Sequence, residues 1–409
     1  SASRRRRGCR CREMTGKLFY EDSHMKEFEA RVLSCEACEE GGGFWTVLDQ
    51  TCFFPEGGGQ YADTGYLGET KVVDARERDG IVYHRTEAPL EPGELVRGRI
   101  DWEERFEKMQ QHTGEHIVSG LVHSRFGYNN VGFHLGSDYC TMDFDGPISP
   151  EELREIEWEA NRAVALDLEV IVQYPSKEEL GHMEYRSKIE IEGQVRIVSV
   201  PGYDVCACCA PHVDRTGEIG LIKLVNRMNY KGGERITMLC GFRALRDYDS
   251  KLTAAREIGA LLCEKEDQIA GAVRRQKEEL EKQKYENGRL MHQLLVFRAK
   301  EIPVEGSMTA VFTDDIRGDA PRELMNLLLE RGAFICGVFA AAGDGRWRYV
   351  IGSRQADVRP LGKALNSRFE GRGGGKPGMV QGTLTGSEAD IRAAAEGFIK
   401  GSGTEKGTE

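Results

Sequence analysis

Two pairs of potential metal ligands stand out in the sequence. His112 and His116 are four residues apart, so on a helix both rings project from one face, about one turn from each other. Cys208 and His212 form the second pair, within the segment Cys-Cys-Ala-Pro-His. Imidazole nitrogens and thiolate sulfurs are usual zinc ligands. An isolated H-x-x-x-H pair predicts little, but the two pairs together favour one zinc ion per chain bound by all four side chains.

The first pair also fits a different enzyme class. His112-Thr-Gly-Glu-His116 has the H-x-x-E-H order of inverted zincin peptidases, in which Glu115 would be the general base. Such a peptidase needs a further carboxylate ligand downstream, and three residues could supply it: Glu155, Glu157 and Glu159. Peptide hydrolysis is therefore a second hypothesis. A non-catalytic protein that retains a structural zinc is a third.

A glycine-rich stretch precedes the histidine pair. It contains Gly57, Gly58 and Gly59, followed by Gln60. No helix start follows these glycines, so they are better suited to let the backbone approach a ligand closely than to bind phosphate at a helix N-terminus. Gln60 is either a pocket amide or a turn residue. Thr51, just upstream, would by itself be interpreted as a strand threonine whose hydroxyl bonds to a neighbour.

The elements that must position these residues follow from the hydrophobic pattern. Residues 17–100 alternate short β-rich segments with glycine and proline turns, which indicates a small β-barrel. The predicted strands are 31–34, 44–48, 70–74, 81–84 and 94–100. From 102 to 126 the period becomes helical, so the histidine pair lies on a long helix.

The middle of the chain mixes strands and helices and is predicted to be α+β. A second helix should cover 149–165, because Ser149, Pro150 and Glu152 form a capping-box start. The predicted strands are 130–135, 139–144, 168–174, 195–200, 219–224 and 235–240. Residues 246–300 are rich in charged residues with scattered apolar positions, which indicates a long helix or helical hairpin with an imperfect heptad.

The last hundred residues predict a separate domain. Its expected strands are 308–312, 334–340 and 349–353, and its expected helices are 321–331 and 388–400. The basic residues between 346 and 376 include five candidate RNA contacts: Arg346, Arg348, Arg368, Arg372 and Lys376. Trp347, Tyr349 and Phe369 are interleaved with them, so this stretch could pair phosphates and stack bases. A solvated surface face is the alternative.

Composition excludes several classes of protein. The chain has 409 residues, 40% hydrophobic and 30% charged, and a net charge of −11, which argues against a blanket nucleic-acid-binding surface. No apolar run reaches the length of a membrane span. Residues 1–13 are basic, but no apolar segment follows, so we expect an extension without a secretory role and a cytoplasmic protein with reduced thiols. Cys206 and Cys209 flank Cys208, and position alone leaves them as alternative ligands.

These motifs together resemble a known family. The segment from Phe53 to Gln60, with Asp63-Thr-Gly65 after it, is similar to the glycine-rich motif of the editing domains of alanyl-tRNA synthetase and of their free-standing AlaX relatives. The histidine and cysteine pairs resemble that family's two metal-binding motifs, and their order and separations agree. A threonyl-type editing domain also carries such pairs, but the barrel and the C-terminal part favour the alanyl type.

The resemblance implies an activity. We expect a long AlaX-type protein that edits in trans, hydrolysing the ester of serine, or of glycine, wrongly attached to tRNA(Ala). His112, His116, Cys208 and Gln60 would be the catalytic residues, and Thr51, Gly57, Gly58, Gly59 and Gln60 would contact the substrate. The family usually has Cys-Gly-Gly-Thr-His where this chain has Cys-Cys-Ala-Pro-His, so the ligand positions are kept but the loop differs.

Two further implications concern the metal and amino-acid choice. Zinc could activate a water molecule, whereas four protein ligands would instead favour a structural or substrate-orienting metal; both alternatives stay open. The resemblance assigns a serine-sensing hydroxyl to Thr51, because a site that bonds serine leaves a buried polar group without a partner when alanine binds.

The resemblance also sets the expected layout. Gly373-Gly374-Gly375-Lys376-Pro377 is similar to the DHH-associated domain of the synthetase, an α/β domain that binds the elbow of tRNA and often dimerises. We therefore expect a basic, disordered extension (1–13), a β-barrel domain (14–100), a zinc-containing editing domain (101–245), a coiled-coil-like helical linker (246–300) and a C-terminal tRNA-binding and dimerisation domain (301–409).

Overall fold

The computed structural model describes residues 14–39, 41–187 and 194–402 and divides into two units, 1–256 and 257–409. The basic extension predicted at 1–13 lies outside the described residues. The division falls within a helix of the predicted linker, and each unit is described by itself below.

The first unit begins with a β-rich segment. Its elements are β1 (Gly16–Lys17), α1 (Leu18–Glu21), β2 (Glu27–Ala37), β3 (Phe44–Leu48), β4 (Gln50–Thr51), β5 (Gly65–Leu67), β6 (Thr70–Arg78), β7 (Ile81–Thr86) and β8 (Leu95–Ile100). Six of these strands close a barrel in the order β2-β3-β7-β6-β5-β8. The predicted small barrel is thus present. Alternation explains its inner face, since Phe28, Ala30 and Val32 of β2 are buried and their neighbours are exposed.

A helix and a second β-rich region follow the barrel. The elements are α2 (Trp102–Phe126), β9 (Asn130–Leu135), β10 (Cys140–Phe144), α3 (Pro150–Ala165), β11 (Ile171–Gln173), α4 (Lys177–Leu180), β12 (Ile197–Val200), β13 (Asp204–Ala207), β14 (Ile222–Tyr230) and β15 (Gly233–Cys240), with a 3₁₀ turn at Thr216–Ile219. Four strands form a sheet in the order β14-β15-β10-β9, and β11-β12-β13 form a smaller antiparallel sheet.

Helix α2 has the bounds predicted from the sequence. The Asp101 side chain caps its first turn by accepting a hydrogen bond from the Glu104 N–H, and Gly127 ends it in a left-handed conformation. From Met109 to Gly120 every residue is buried, because the helix packs against α3, β9, β13 and β15. This part of α2 is covered by protein on all of its faces, so the histidine pair is enclosed.

Two strand predictions in this region need correction. The strand expected at 168–174 covers only Ile171–Gln173, and the strand expected at 219–224 starts at Ile222. The physical reason for the second difference is the 3₁₀ turn that ends at Ile219, followed by Gly220 with φ of 77°. The capping box at Ser149 and Glu152 is present as predicted.

The second unit begins within a helical pair. Helix α5 (Gly241–Leu262) crosses the division between the units, and α6 (Ile269–Glu301) follows a 3₁₀ turn at Glu266–Gln268. The break between them lies at Cys263, whose φ of 55° is unusual for a non-glycine residue. Residues 246–300 therefore belong to two helical segments and not to one continuous helix.

The remaining elements form a mixed sheet covered by helices. They are β16 (Thr309–Thr313), α7 (Ala320–Glu330), β17 (Ile335–Ala341), β18 (Arg346–Ser353), α8 (Arg359–Arg368), β19 (Arg372–Lys376), β20 (Met379–Thr385) and α9 (Glu388–Gly401). The sheet order is β16-β17-β18-β20-β19, with only β16 and β17 parallel. The glycines Gly373, Gly374 and Gly375 lie in the edge strand β19, and α8 was not predicted.

Candidate metal centre

Helix α2 presents both histidines to one interior point. His112 and His116 are each only 2% exposed, and their ring centroids are 5.6 Å apart. Their i, i+4 spacing on a regular helix accounts for this arrangement. His123, on nearly the same face of α2, is exposed and lies near Tyr128 instead.

The loop after β13 brings the second pair to the same point. The Cys208 sulfur lies 3.5 Å from His112 Nε2 and 3.4 Å from His212 Nε2. The rings of His116 and His212 are 4.5 Å apart. One ligand atom from each of the four side chains lies within 4.8 Å of all the others. The four residues predicted from the sequence therefore form one group that could hold a metal ion.

Each histidine is held at its other nitrogen by a different part of the chain. Gln60 Oε1 lies 3.0 Å from His112 Nδ1, and Thr113 Oγ1 lies 3.0 Å from His212 Nδ1. Asp204 Oδ2 lies 3.2 Å from His116 Nδ1. Polar partners at the second ring nitrogen orient ligand histidines in protein metal sites generally. This ordered outer layer is what a metal centre requires, so the residues fit a bound cation.

Asp204 is the charged member of that layer. Burial by itself raises the pKa of the Asp204 carboxyl, but hydrogen bonds from His116 and Arg186 and their charges outweigh it and lower the pKa. Arg186 holds both carboxylate oxygens, with Nε to Oδ1 at 2.7 Å and Nη2 to Oδ2 at 2.8 Å. Sequence analysis missed Asp204 and Thr113. Thr113 follows His112 directly, but no sequence pattern indicated that β13 lies against α2.

Burial disfavours the charged forms of the His212 and Cys208 side chains. Desolvation lowers the pKa of the His212 imidazole well below its ordinary value, and the neighbouring His116 and His112 lower it further. Desolvation likewise raises the pKa of the Cys208 thiol. The His212 imidazole is thus kept as a neutral donor, the form in which histidine binds metals. A cation would favour the thiolate form of Cys208.

The glycine-rich loop packs directly against the ligand loop. Gly58 and Gly59 have φ of 61° and 82°, which side chains rarely adopt. A Cβ at Gly58 would lie 3.2 Å from the Cys209 sulfur, and one at Gly59 would lie 2.7 Å from the Phe133 ring. Gln60 is 1% exposed and pairs with Gly57 through two backbone hydrogen bonds. Gln60 is therefore both a turn residue and a buried amide at the centre.

Thr51 is located differently from the residues above. It is fully buried, and its hydroxyl lies 2.8 Å from His84 Nε2 and accepts a hydrogen bond from the Phe53 N–H. His84 Nδ1 lies 3.1 Å from the Thr46 carbonyl oxygen. The Thr51 side chain thus belongs to a buried polar chain within the barrel, and its hydroxyl already has the partners that the sequence alone suggested.

The alternative ligands have other surroundings. Cys209 is exposed at the glycine-rich loop, and Cys206 is buried in a group with His116 and Asp204. Glu115 is 1% exposed and accepts hydrogen bonds from Ser119 and Asn130; its Oε2 lies 3.9 Å from His116 Nε2.

The glutamates considered as peptidase ligands bind elsewhere. Glu155 pairs with Arg125, Glu159 pairs with Arg162, and Glu157 accepts from Lys223 and from the Leu224 N–H. Within the described ranges, no group of potential metal ligands includes any of the three.

The basic residues of the second unit lie on exposed positions of β18, α8 and β19: Arg346, Arg348, Arg368, Arg372 and Lys376. Arg348 and Arg372 both face Thr383 of the intervening strand β20, so they share one face of the sheet. A cleft of about 460 Å³ between α8 and β19 adds Arg359 and Lys363.

The aromatic residues of this stretch do not present free faces. Tyr349 is 3% exposed and Phe369 is 8% exposed, and both belong to the hydrophobic core of the unit. Trp347 packs beside that core and donates its indole N–H to the Gly386 carbonyl. The expectation that Tyr349 and Phe369 could stack bases is therefore wrong, because Tyr349 of β18 and Phe369 at the end of α8 both pack into the core.

Family models match two parts of the chain. Residues 195–237 match the threonyl and alanyl tRNA synthetase second additional domain, and residues 10–104 match class II (A) tRNA synthetases. The first match contains Cys208 and His212, and the second contains all six barrel strands and the glycine-rich loop. None of the described helices is long and apolar enough to cross a membrane.

Curated relatives extend the similarity to most of the chain. An alanine–tRNA ligase of Pyrococcus abyssi is 31% identical over 94% of this chain, and the alignment covers 43% of the ligase. An alanyl-tRNA editing protein, Aarsd1 of Rattus norvegicus, is 28% identical over 93% of this chain and 98% of that protein. The Aarsd1 protein of Mus musculus is 29% identical over 94% of the chain.

The chain thus spans less than half of the ligase but nearly the full length of the editing proteins. Among solved structures, the C-Ala domain of Aquifex aeolicus alanyl-tRNA synthetase matches 23% of this chain and 87% of that domain, at 19% identity and a TM-score of 0.19. The resemblance predicted from the motifs is confirmed: over most of its length this chain is similar to the alanyl-tRNA editing proteins and to the corresponding part of alanine–tRNA ligases.

Proposed function

We propose that this chain is an aminoacyl-tRNA hydrolase that acts in trans on mischarged tRNA(Ala), with serine or glycine as the amino acid removed. The observation that carries the proposal is the buried group of His112, His116, Cys208 and His212, enclosed by the glycine-rich loop. This group lies in a chain whose full-length relatives are named alanyl-tRNA editing proteins. A tRNA substrate also implies a cytoplasmic location.

We infer that the resident cation is zinc, one per chain. Three imidazoles and one thiolate suit zinc better than the oxygen-preferring cations. When bound, zinc would supply Lewis-acid polarisation at the site. A zinc measurement on the purified protein and on His116→Ala tests this assignment. We expect about one zinc in the first and a large loss in the second, and equal content would contradict it.

The chain's own residues would orient and enclose the substrate. The Gln60 side-chain oxygen contacts His112 Nδ1, so the role of Gln60 is to orient the His112 ring. Gly57, Gly58 and Gly59 lack side chains where the loop meets Cys209 and Phe133, which would let backbone groups approach the terminal adenosine. The burial of the ligand side chains would limit access of bulk water to the reacting ester. Serine sensing by Thr51 stays a prediction from the family resemblance.

The second unit would hold the body of the tRNA. Its five candidate contacts are Arg346, Arg348, Arg368, Arg372 and Lys376. Exposed arginines on one sheet face, beside a cleft that also has basic residues, suit the phosphate backbone of RNA. Exposed apolar residues of α6, including Leu280, Leu290 and Leu294, support the proposal that this unit also forms a homodimer.

The decisive experiment compares substrates. Purified protein is incubated with serine-, glycine- and alanine-charged tRNA(Ala), with a casein-type peptide as a separate substrate. We expect release of serine or glycine, little release of alanine, and no peptide cleavage. Peptide cleavage without deacylation would instead support the zinc peptidase, which the proximity of Glu115 to His116 keeps as the second candidate. Binding of tRNA with neither activity would support the non-catalytic alternative.

A further inference from the structure

One buried cation lies against the ligand loop and is not explained by the features above. Arg196 immediately precedes strand β12 and is 8% exposed. Its Nη1 donates to the carbonyl oxygens of Cys208 at 2.9 Å and of Ala210 at 2.8 Å. Its own carbonyl oxygen accepts a hydrogen bond from the Cys208 N–H at 3.1 Å. Arg196 therefore binds the backbone on both sides of the ligand sulfur.

The charge of this guanidinium has no anionic partner in the described part of the chain. Its Nε is buried without a hydrogen-bond partner, and no described carboxylate forms an ion pair with it. The Tyr20 ring lies 5.2 Å from the guanidinium carbon. A buried charge is costly unless it is paired. The bonds of the guanidinium to the Cys208 and Ala210 carbonyl oxygens place its charge beside the loop segment that carries the ligand sulfur, and that sulfur is a thiolate when it binds a metal.

We propose that Arg196 is a positioning residue for the metal centre. Its two bonds from Nη1 fix the bend at Cys208–Ala210, so that the sulfur faces His112 and His212. Its positive charge offsets the negative charge of the metal-bound sulfur. The proposal rests on the proposed metal centre and not on the identity of the substrate.

A lysine and a methionine at this position separate the two contributions. Arg196→Lys keeps the charge but lacks the planar fork that reaches two carbonyl groups. Arg196→Met keeps a long side chain and removes both the charge and the donors. Arg227 offers a matched control, because it also donates to a backbone carbonyl, that of Ile148, but away from the ligand loop.

The experiment measures metal binding to the full-length protein. Zinc affinity is determined by competition with a chelator, and the zinc-free protein is then loaded with cobalt to record the thiolate-to-cobalt charge-transfer absorption. We expect zinc binding about 10–100-fold weaker in Arg196→Met, a smaller loss in Arg196→Lys, and a weaker or shifted cobalt–thiolate band in both. Arg227→Met should match the unmodified protein.

A double-variant cycle excludes a general effect on folding. If Arg196 acts through the sulfur, Arg196→Met should have little further effect on zinc affinity in a Cys208→Ser background. An equal loss of affinity in both backgrounds would overturn the proposal, as would an unchanged charge-transfer band in Arg196→Met. Should Arg196→Met fail to fold, the same cycle with Arg196→Lys decides. Absence of metal binding in the unmodified protein would instead contradict the metal centre itself.

Discussion

The residues around the candidate centre belong to several elements, and their roles can be tested singly. Glu115 lies beside a ligand histidine, and its Oε1 accepts hydrogen bonds from Ser119 and Asn130. An amide oxygen could accept the same two bonds, so Glu115→Gln should preserve the local structure. We expect deacylation to fall by less than the ~10²–10⁴-fold that removal of a general base costs. Single-turnover deacylation by this variant is the measurement.

His112→Ala provides the comparison for that experiment. If Glu115→Gln loses as much deacylation as His112→Ala, Glu115 takes part in the chemistry and our assignment of roles is wrong. A zincin peptidase would lose all of its hydrolysis with Glu115→Gln, so the variant also separates the two enzyme classes.

His84 gives the barrel a predictable response to pH. Burial lowers the pKa of the His84 imidazole to about 4, although the hydrogen bond with the Thr46 carbonyl opposes this shift. In the unfolded chain the group has its ordinary pKa of ~6.5. Between these values the unfolded chain binds a proton that the folded chain does not. This part of the stability is therefore complete above pH ~6.5 and is lost as the pH falls to about 4.

The free energy of unfolding should fall by about 2 kcal/mol between pH 7 and pH 5 because of His84, at ~1.4 kcal/mol per pH unit. Urea unfolding at both pH values measures it. His84→Gln, which cannot titrate, should lose that much less stability than the unmodified protein over this interval. His134→Gln, at an exposed histidine, serves as the control. Equal pH dependence of the His84→Gln variant and the unmodified protein would contradict the assignment.

At the scale of elements, the glycine-rich loop is the connection between barrel and centre. Gly59 has a φ of 82°, and a Cβ there would meet Phe133. We therefore expect Gly59→Ala to displace the loop and with it the contact of Gln60 with His112. Deacylation should fall at least ~10-fold, since a small misplacement of reacting groups is costly. Zinc content should fall much less, because all four ligands remain.

Gly68→Ala is the matched control for the loop. Gly68 also has a positive φ, 57°, but nothing lies within 4 Å of a Cβ built there, so it carries a similar backbone strain without the clash. Similar activity in the two variants would show that close packing of the loop does not matter.

Sequence periodicity predicted the long elements well and the short ones poorly. Helix α2 has the predicted bounds because a helical pattern of 25 residues is unambiguous. Strand β5 has only three residues, too few to show alternation. Strand β19 was hidden by its glycines, which are needed because a side chain at Gly373 would collide with β20. Contacts between distant parts of the chain determine whether such short segments form strands, and local sequence patterns contain little information about those contacts.

The candidate site was predictable only where its residues form motifs with regular spacing. His112, His116, Cys208 and His212 come together as expected. Asp204 and Arg196 were missed, because nothing in the sequence indicates that these residues, one at the start of β13 and the other just before β12, lie against the ligands. The inward direction of Tyr349 was likewise missed, since charge composition does not indicate which face of a strand is covered.

At the scale of the whole molecule, we expect the two units to contribute separately. Arg348→Gln combined with Arg372→Gln removes two candidate phosphate contacts from one sheet face. Each phosphate contact changes the slope of log affinity against log salt concentration by roughly 0.7–0.9. We therefore expect weaker tRNA binding and a slope reduced by roughly 1.5, measured by titration at several salt concentrations. Hydrolysis at saturating tRNA should change little, because the ligands lie in the first unit.

Arg354→Gln serves as the control for that pair, because Arg354 is exposed but is paired with Glu330. Unchanged affinity and salt slope in the double variant would mean that this sheet face serves dimerisation or another partner. Removal of residues 301–409 should have a similar but larger effect on binding, and it should also relax discrimination among tRNAs.

The candidate centre also has a consequence for the topology of the chain. Its ligands His112 and Cys208 are separated by 96 residues, so a bound ion would act as a cross-link that closes a long loop. A covalent cross-link over a loop of that length removes about 4–5 kcal/mol of entropy from the unfolded chain. Through mass action, the folded first unit and its ion would stabilise each other. Availability of the metal would then control how long the protein persists in the cell as well as how fast it works.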